Sequence, residues 1–381
     1  MRVALVRQRY DPYGGAERFI ERALPALERA GVEVTLIARR WEGETAGWGS
    51  RRTLRVDPFH VGNVWRDWSF ARAARSAWQS GQFDLVQSHE RIAGCDLYRA
   101  GDGVHATWLE IRRASAGALE RLGIALNPYH RYVCAAERRL FEHPALRAVI
   151  CNSSMVREDI RNAFRVAPQK LHLIYNGVDL EHFHPRHRAA LRGAARAELG
   201  IGAQEALFLF VGSGFARKGL DAAIGALAQC VAAPFRLVAA GRDRDAALFA
   251  ALARAAGLGE RARLLGARDD VRPLYAAADC FILPTRYDPF PNTALEALAM
   301  GLPVIVGRRS GAAEFVKPGI NGWICEPEDA SGLAGLMREA AGTARDERAG
   351  NAVRAAARAT AESYGIDQMA RKLTDLYATL K

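Results

Sequence analysis

Apolar residues in this chain gather in short runs separated by longer stretches of helical pattern. The first run, Arg2-Val-Ala-Leu-Val6, is followed by helical spacing from about Ala16. Further runs fall at 34–38, 83–87, 97–100, 148–151 and 171–175. Short runs without polar alternation suit strands covered on both faces, as parallel sheets require. Strands alternating with helices predict a doubly wound parallel sheet. Asn176-Gly-Val-Asp179 is turn-rich and predicts a domain linker. The alternation then restarts, with runs at 206–211, 235–240, 262–265, 281–284 and 304–306 completing a second set. Residues 368–380 are helical in pattern. Pro25, inside the first helical stretch, predicts a kink or a break.

The length of 381 residues accommodates two such domains. No apolar run reaches 18 residues, which predicts no membrane span. The apolar stretch at the N-terminus is too short for a signal peptide. The six cysteines are scattered without metal-ligand spacing and are expected to be reduced, mostly buried thiols of a cytoplasmic protein. The net charge of +11 is uneven: residues 1–175 carry 27 basic against 19 acidic residues, and the remainder 26 against 23. A basic first half could face an anionic acceptor, an anionic membrane surface or nucleic acid, or be a solvated arginine surface. No nucleic-acid motif or basic tract accompanies the charge.

The chemistry concentrates after the predicted strands. Asp288-Pro-Phe-Pro-Asn-Thr-Ala-Leu-Glu296 places two carboxylates eight positions apart around a helix start. Asn292 and Thr293 are suited to cap that helix, Gly301 to end it, and Pro303 follows. A strand, a loop with free amides and a helix start make an anion site. Asp288 lies on the loop and Glu296 about one turn into the helix, so that one can meet a sugar while the other meets a ribose, with phosphates between them. Gly212-Ser213-Gly214-Phe-Ala-Arg217-Lys218-Gly219 follows the run at 206–211. Its glycines allow close backbone approach, and its two cations oppose a helix dipole unless an anion resolves the conflict. It lacks the spacing of a Walker phosphate loop.

With these residues in view, the chain resembles the retaining, family-4 type glycosyltransferases of the GT-B fold. The acidic segment is similar to their E-x7-E motif, with Asp288 where Glu is usual. Arg217-Lys218-Gly219 is similar to the family's diphosphate-holding element. Gly14-Gly15-Ala-Glu17, after the first strand, resembles the loop that meets the donor phosphate and acceptor. The resemblance covers almost the whole chain. It is greatest to the lipopolysaccharide core glucosyltransferase I group, through Tyr10 to Arg18, Ser213 to Asp221 and Ala135-Ala-Glu-Arg-Arg139.

The resemblance implies a two-domain α/β fold with a cleft: residues 1–175 for the acceptor, 176–363 for the donor, and a return helix 364–381 crossing near Ser363-Tyr-Gly365. It implies donor contacts from Gly14, Gly15, Gly212, Ser213, Arg217, Lys218, Phe290, Pro291, Asn292 and Thr293. Glu296 would hold the ribose hydroxyls and Asp288 the sugar. Arg268 and Val271 are the candidates for base contacts. Asp102, with His105 second, fits the polar position beneath the donor sugar, and Glu17, His89, Glu90 and His105 are acceptor-side candidates.

The expected activity moves glucose or N-acetylglucosamine from a UDP-sugar to a glycan, the lipopolysaccharide inner core. The UDP-sugar is a co-substrate, with no cofactor and no metal; Asp243-Arg-Asp245 has a metal-motif spacing but stands apart from the donor motifs. The acceptor would be lipid-linked and the enzyme peripheral on the inner face of the cytoplasmic membrane, without nucleic acid. The alternatives are a nucleotide-sugar 2-epimerase or phosphorylase on the same fold and, from another class, a basic nucleic-acid-binding protein.

Overall fold

The computed structural model describes residues 1–10, 15–41 and 52–381. The chain divides into two units, Met1–Gly177 with Ile366–Lys381, and Val178–Gly365. The strands in chain order are β1 (Arg2–Val6), β2 (Arg9–Tyr10), β3 (Glu33–Ala38), β4 (Arg40–Trp41), β5 (Arg52–Arg55), β6 (Leu85–Ser88), β7 (Leu97–Ala100), β8 (Ala148–Cys151) and β9 (Leu171–Leu173) in the first unit. The second unit has β10 (Ala206–Val211), β11 (Phe235–Ala240), β12 (Ala262–Leu264), β13 (Cys280–Leu283), β14 (Val304–Gly307) and β15 (Gly322–Cys325).

The first unit is built on a seven-stranded parallel sheet of order β5-β3-β1-β6-β7-β8-β9. Strand order reverses at β1, which pairs with β3 on one side and β6 on the other. In open parallel sheets such a reversal opens a crevice at the carboxyl ends of the strands, where ligands bind. The Gly15–Arg29 helix buries Phe19, Ile20, Leu24 and Leu27 in one core cluster with Met369, Leu373, Leu376 and Tyr377 of the Ile366–Thr379 helix. Each such side chain contributes about 1.5–3 kcal/mol on burial. The helix therefore continues through Pro25, so the break that proline could impose does not occur. Several buried apolar side chains outweigh one missing backbone bond.

The second unit holds a six-stranded parallel sheet of order β12-β11-β10-β13-β14-β15. Here the order reverses at β10, between β11 and β13. Every residue of β10 is buried, in line with its apolar sequence. Two strands of these sheets lie outside the expected runs, and two are displaced by two residues at one end. β5 is an exposed edge strand with an arginine at each end, β15 opens on a glycine, β6 starts two residues later than expected, and β9 ends two residues earlier.

Candidate functional site

In the second unit, the loops at the carboxyl ends of β10 and β13 face the reversal point. β10 leads into Gly212 and a four-residue helix, Phe215–Lys218, which places Arg217 and Lys218 just ahead of the Leu220–Ala228 helix. Gly219 makes this path possible. Its φ of 76° is left-handed, and a Cβ there would stand 2.0 Å from the carbonyl oxygen of Pro284 at the end of β13. Gly241, ending β11, is equally constrained, since a Cβ would meet the Gly212 carbonyl oxygen at 1.9 Å. The amide of Phe215 donates to Asp243 Oδ2 at 2.7 Å. Asp243 thus anchors the glycine loop, a role that its metal-like spacing does not suggest. Among the described residues no group of three or more His, Cys, Asp or Glu side chains is assembled for a metal ion.

The two cations meet Asp288. Lys218 Nζ donates to Asp288 Oδ2 at 2.7 Å, and Arg217 Nη1 lies 3.4 Å from the same oxygen while donating to the Tyr287 carbonyl at 2.8 Å. Burial alone would raise the Asp288 carboxyl; Lys218, Arg217 and the Phe290 amide outweigh it and hold the group below the usual carboxylate range. The backbone of Asp288 is fixed as well. Its amide donates to Arg309 and its carbonyl accepts from Gly311. Arg286 makes a two-pronged pair with Asp221, at 2.9 and 2.7 Å, tying the β13 loop to the helix behind Lys218.

Pro291 caps the next helix, Asn292–Ala299, and offers no side-chain bond to it. Asn292 and Thr293 are its first residues rather than its caps, which corrects the sequence expectation. Proline before the helix fixes the entry angle and pushes both polar residues into the first turn. The leading amides are consequently left without a side-chain cap, and Thr293 Oγ1 is buried without a hydrogen-bond partner among the described residues. Phe290 is buried edge-to-face on Phe315. Glu296 is fully buried one turn in, accepting from Tyr275 Oη at 3.3 Å. Ser213 is exposed on the glycine loop. Arg268 is exposed and Val271 half-buried in the loop after β12, at the sheet edge beyond β11.

In the first unit, Gly14 lies outside the described residues, Gly15 opens the first helix, and the Glu17 side chain is likewise outside the description. Glu90 follows β6 at the reversal point. It pairs with Arg7 at 3.2 Å and accepts from the Gln8 amide at 2.9 Å, both just beyond β1. Gln8 also reaches Asp67, which accepts from Tyr129 Oη at 2.9 Å. His89 behaves differently from the acceptor role expected of it. It is buried beside Phe19, with Nε2 2.8 Å from the Gln87 amide, which in turn accepts from Tyr377 Oη. Burial, aided by Arg99 and Arg7, keeps its ring neutral far below the ordinary imidazole range. The apolar residues around it turn this histidine into core.

Asp102 is more than half exposed and lies 3.6 Å from Arg91. Arg91 also bonds Glu137 at 2.8 Å, and the buried Glu137 carboxylate accepts from the His105 amide at 2.9 Å. Glu137 therefore caps the His105–Ser115 helix from a distance of 32 residues. His105 Nε2 lies 3.1 Å from His130 Nδ1, and burial lowers the His105 ring to about 4. Glu137 lies in the Ala135-to-Arg139 segment that shares in the resemblance, but its capping role carries no mark in sequence, and His130 stands in no motif; both roles become visible only when the helices pack.

Residues 192–356 match the family described as glycosyl transferases group 1, and residues 13–182 match glycosyltransferase family 4. The chain is a glycosyltransferase of the GT-B fold. The lipopolysaccharide glucosyltransferase WaaG of Escherichia coli K12 is 26% identical over 89% of this chain and 89% of its own. A probable transglycosylase of Burkholderia thailandensis is 28% identical over 90% and 88% respectively. The crystal structure of WaaG superposes with a TM-score of 0.84 at 25% identity, covering 98% of this chain and 99% of that one. Anabaena HepE, solved in complex with UDP and glucose, shares the fold at a TM-score of 0.75 and 19% identity over 99% of both chains.

The group 1 region of this glycosyltransferase contains the whole Arg217, Lys218 and Asp288 arrangement, and the family 4 region contains the Glu90 and Glu137 clusters. All six cysteines are free thiols, five of them buried. Among the described residues no helix is long and apolar enough to cross a membrane.

Proposed function

We propose that this glycosyltransferase moves a hexose, glucose or N-acetylglucosamine, from a UDP-sugar to a glycan of the lipopolysaccharide inner core, with retention of anomeric configuration and without a metal ion. The observation that carries this reading is the convergence of Lys218 and Arg217 on the loop leading to an uncapped helix start. Two fixed cations and a helix start without a side-chain cap suit a diphosphate and supply the charge that a metal would otherwise bring. A departing UDP gains negative charge as the glycosidic bond breaks, and Lys218 and Arg217 stabilise it there.

In this reading Glu296 binds the ribose hydroxyls, and Asp288 serves the sugar while setting Lys218. Gly212, Ser213, Phe290, Pro291, Asn292 and Thr293 line the phosphate and sugar, and Arg268 and Val271 meet the base. Glu90, at a strand end of the first unit, serves the acceptor, and Asp102 serves the donor sugar. The names of the WaaG and HepE neighbours support this choice of donor and pathway. The enzyme is peripheral on the inner face of the cytoplasmic membrane, where a lipid-linked acceptor is presented.

The test is a donor screen with purified enzyme and a truncated inner-core acceptor, followed by NMR of the new anomeric bond. Transfer from UDP-glucose or UDP-N-acetylglucosamine with retained configuration, undiminished by chelator, is expected. Transfer from another nucleotide sugar only, or with inversion, contradicts it.

A further inference from the structure

A short helix, Arg272–Ala277, joins β12 to β13, two strands that β11 and β10 separate in the sheet. Its carbonyl end is clamped. Arg188, Arg192 and Arg196, one turn apart on the Arg186–Glu198 helix, donate to the carbonyls of Ala276, Ala277 and Ala278 at distances between 2.6 and 3.2 Å. Cations suit the carbonyl end of a helix. Tyr275 stands in this fixed helix, and its amide donates to the Val271 carbonyl at 3.1 Å. Its ring is buried edge-on to Phe183 at 6.0 Å and tilted against Phe281 of β13 at 6.1 Å.

A buried phenol needs a partner for its hydroxyl. Tyr275 Oη lies 3.0 Å from the Thr293 carbonyl oxygen and 3.3 Å from Glu296 Oε2. One phenolic proton thus serves two acceptors, both on the Asn292–Ala299 helix. The other end of that helix is held independently. Arg358 Nη1 donates to the Ala299 carbonyl at 3.0 Å, and to the Leu180 and Phe183 carbonyls at 3.2 and 3.0 Å. The helix therefore has an anchor apart from the hydroxyl. What the hydroxyl adds is the orientation of the fully buried Glu296 carboxylate.

We infer that Tyr275 is a positioning residue of the donor site, touching no substrate and orienting Glu296 for the ribose hydroxyls. The inference rests on the ribose role proposed for Glu296. A carboxylate on a two-carbon stem has several rotamers, and fixing one before the ligand arrives removes an ordering cost from binding. The same residue reaches the base side of the site. Val271, whose carbonyl the Tyr275 amide holds, belongs to the loop proposed to meet the base. Tyr275 ties that loop to the ribose acid across the sheet.

The test is a double-mutant cycle read by UDP calorimetry, with transfer kinetics on the same proteins. Tyr275→Phe keeps the ring contacts and removes the hydroxyl. It should bind UDP about tenfold more weakly. Its KM for the UDP-sugar should rise about as much, while kcat changes by less than about threefold, since the hydroxyl acts on the ribose side and not on the bond that breaks. In a Glu296→Ala background, and in Glu296→Leu, which leaves less of a cavity, the same substitution should change UDP affinity by less than about twofold. An equal tenfold loss in those backgrounds overturns the inference, because the hydroxyl would then act through the Thr293 carbonyl or the fold at large. Wild-type UDP affinity in Tyr275→Phe beside a weakened Glu296→Ala also overturns it and leaves the proposed function standing. Wild-type affinity in Glu296→Ala overturns the ribose assignment itself, and the inference falls with it.

Discussion

Lys218 Nζ and Asp288 Oδ2 stand 2.7 Å apart although 70 residues separate them in the chain. Strand β10 delivers the lysine, and its neighbour β13 delivers the aspartate. The pair holds a cation in place for an incoming phosphate, and an anion that enters must share or displace the carboxylate. Lys218→Ala should therefore lower kcat/KM by roughly 10²–10³, the usual scale for losing one stabiliser of developing charge. Steady-state kinetics on the folded variant check this.

Asp288→Asn should separate binding from transfer. Neutralising Asp288 frees Lys218 from its ion pair, so UDP should bind as well as in wild type or more tightly. Transfer should fall by roughly 10² because the sugar loses its carboxylate. A UDP titration and a transfer assay on the same protein give both numbers.

Much of this architecture is legible in sequence because parallel strands are covered on both faces. β10 and β11 are almost wholly apolar, and the glycines that follow them mark close backbone approaches. What escapes is set by neighbours distant in sequence. Nothing local to Asp288 states that β13 lies beside β10, so the ion pair with Lys218 cannot be read along the chain. His89 ends a strand like any ligand-facing histidine, yet Phe19 and Gln87 enclose it. Asn292 and Thr293 have the chemistry of caps, but Pro291 takes that position.

Glu137 should be a stability residue. Glu137→Ala leaves Arg91 without its buried partner and the His105 amide without an acceptor. Breaking a buried pair of this kind costs about 3 kcal/mol or more. Denaturant unfolding should show that loss, and Glu137→Gln should recover part of it by keeping the amide contact.

Acid should weaken the first unit through its histidines. His89 and His105 are both held neutral when folded, His105 down to about 4. The unfolded chain takes up these protons near pH 6.5, roughly the ordinary imidazole value. Between those limits the unfolded state binds more protons, so stability falls as pH drops and is insensitive to these groups above about pH 7. His89→Gln, which can still bond Gln87, should flatten the decline of Tm between about pH 6.5 and 5.

The central claim is that the loops after β10 and β13 bind the nucleotide diphosphate of the donor. Calorimetric titration of UDP into wild type, Lys218→Ala and Glu296→Ala tests it most directly. Losing a charged hydrogen bond costs roughly 1.5–3 kcal/mol. Each variant should therefore bind UDP about ten- to hundredfold more weakly than wild type. Wild-type UDP affinity in both folded variants, or no saturable UDP binding by the wild-type protein, would contradict the account.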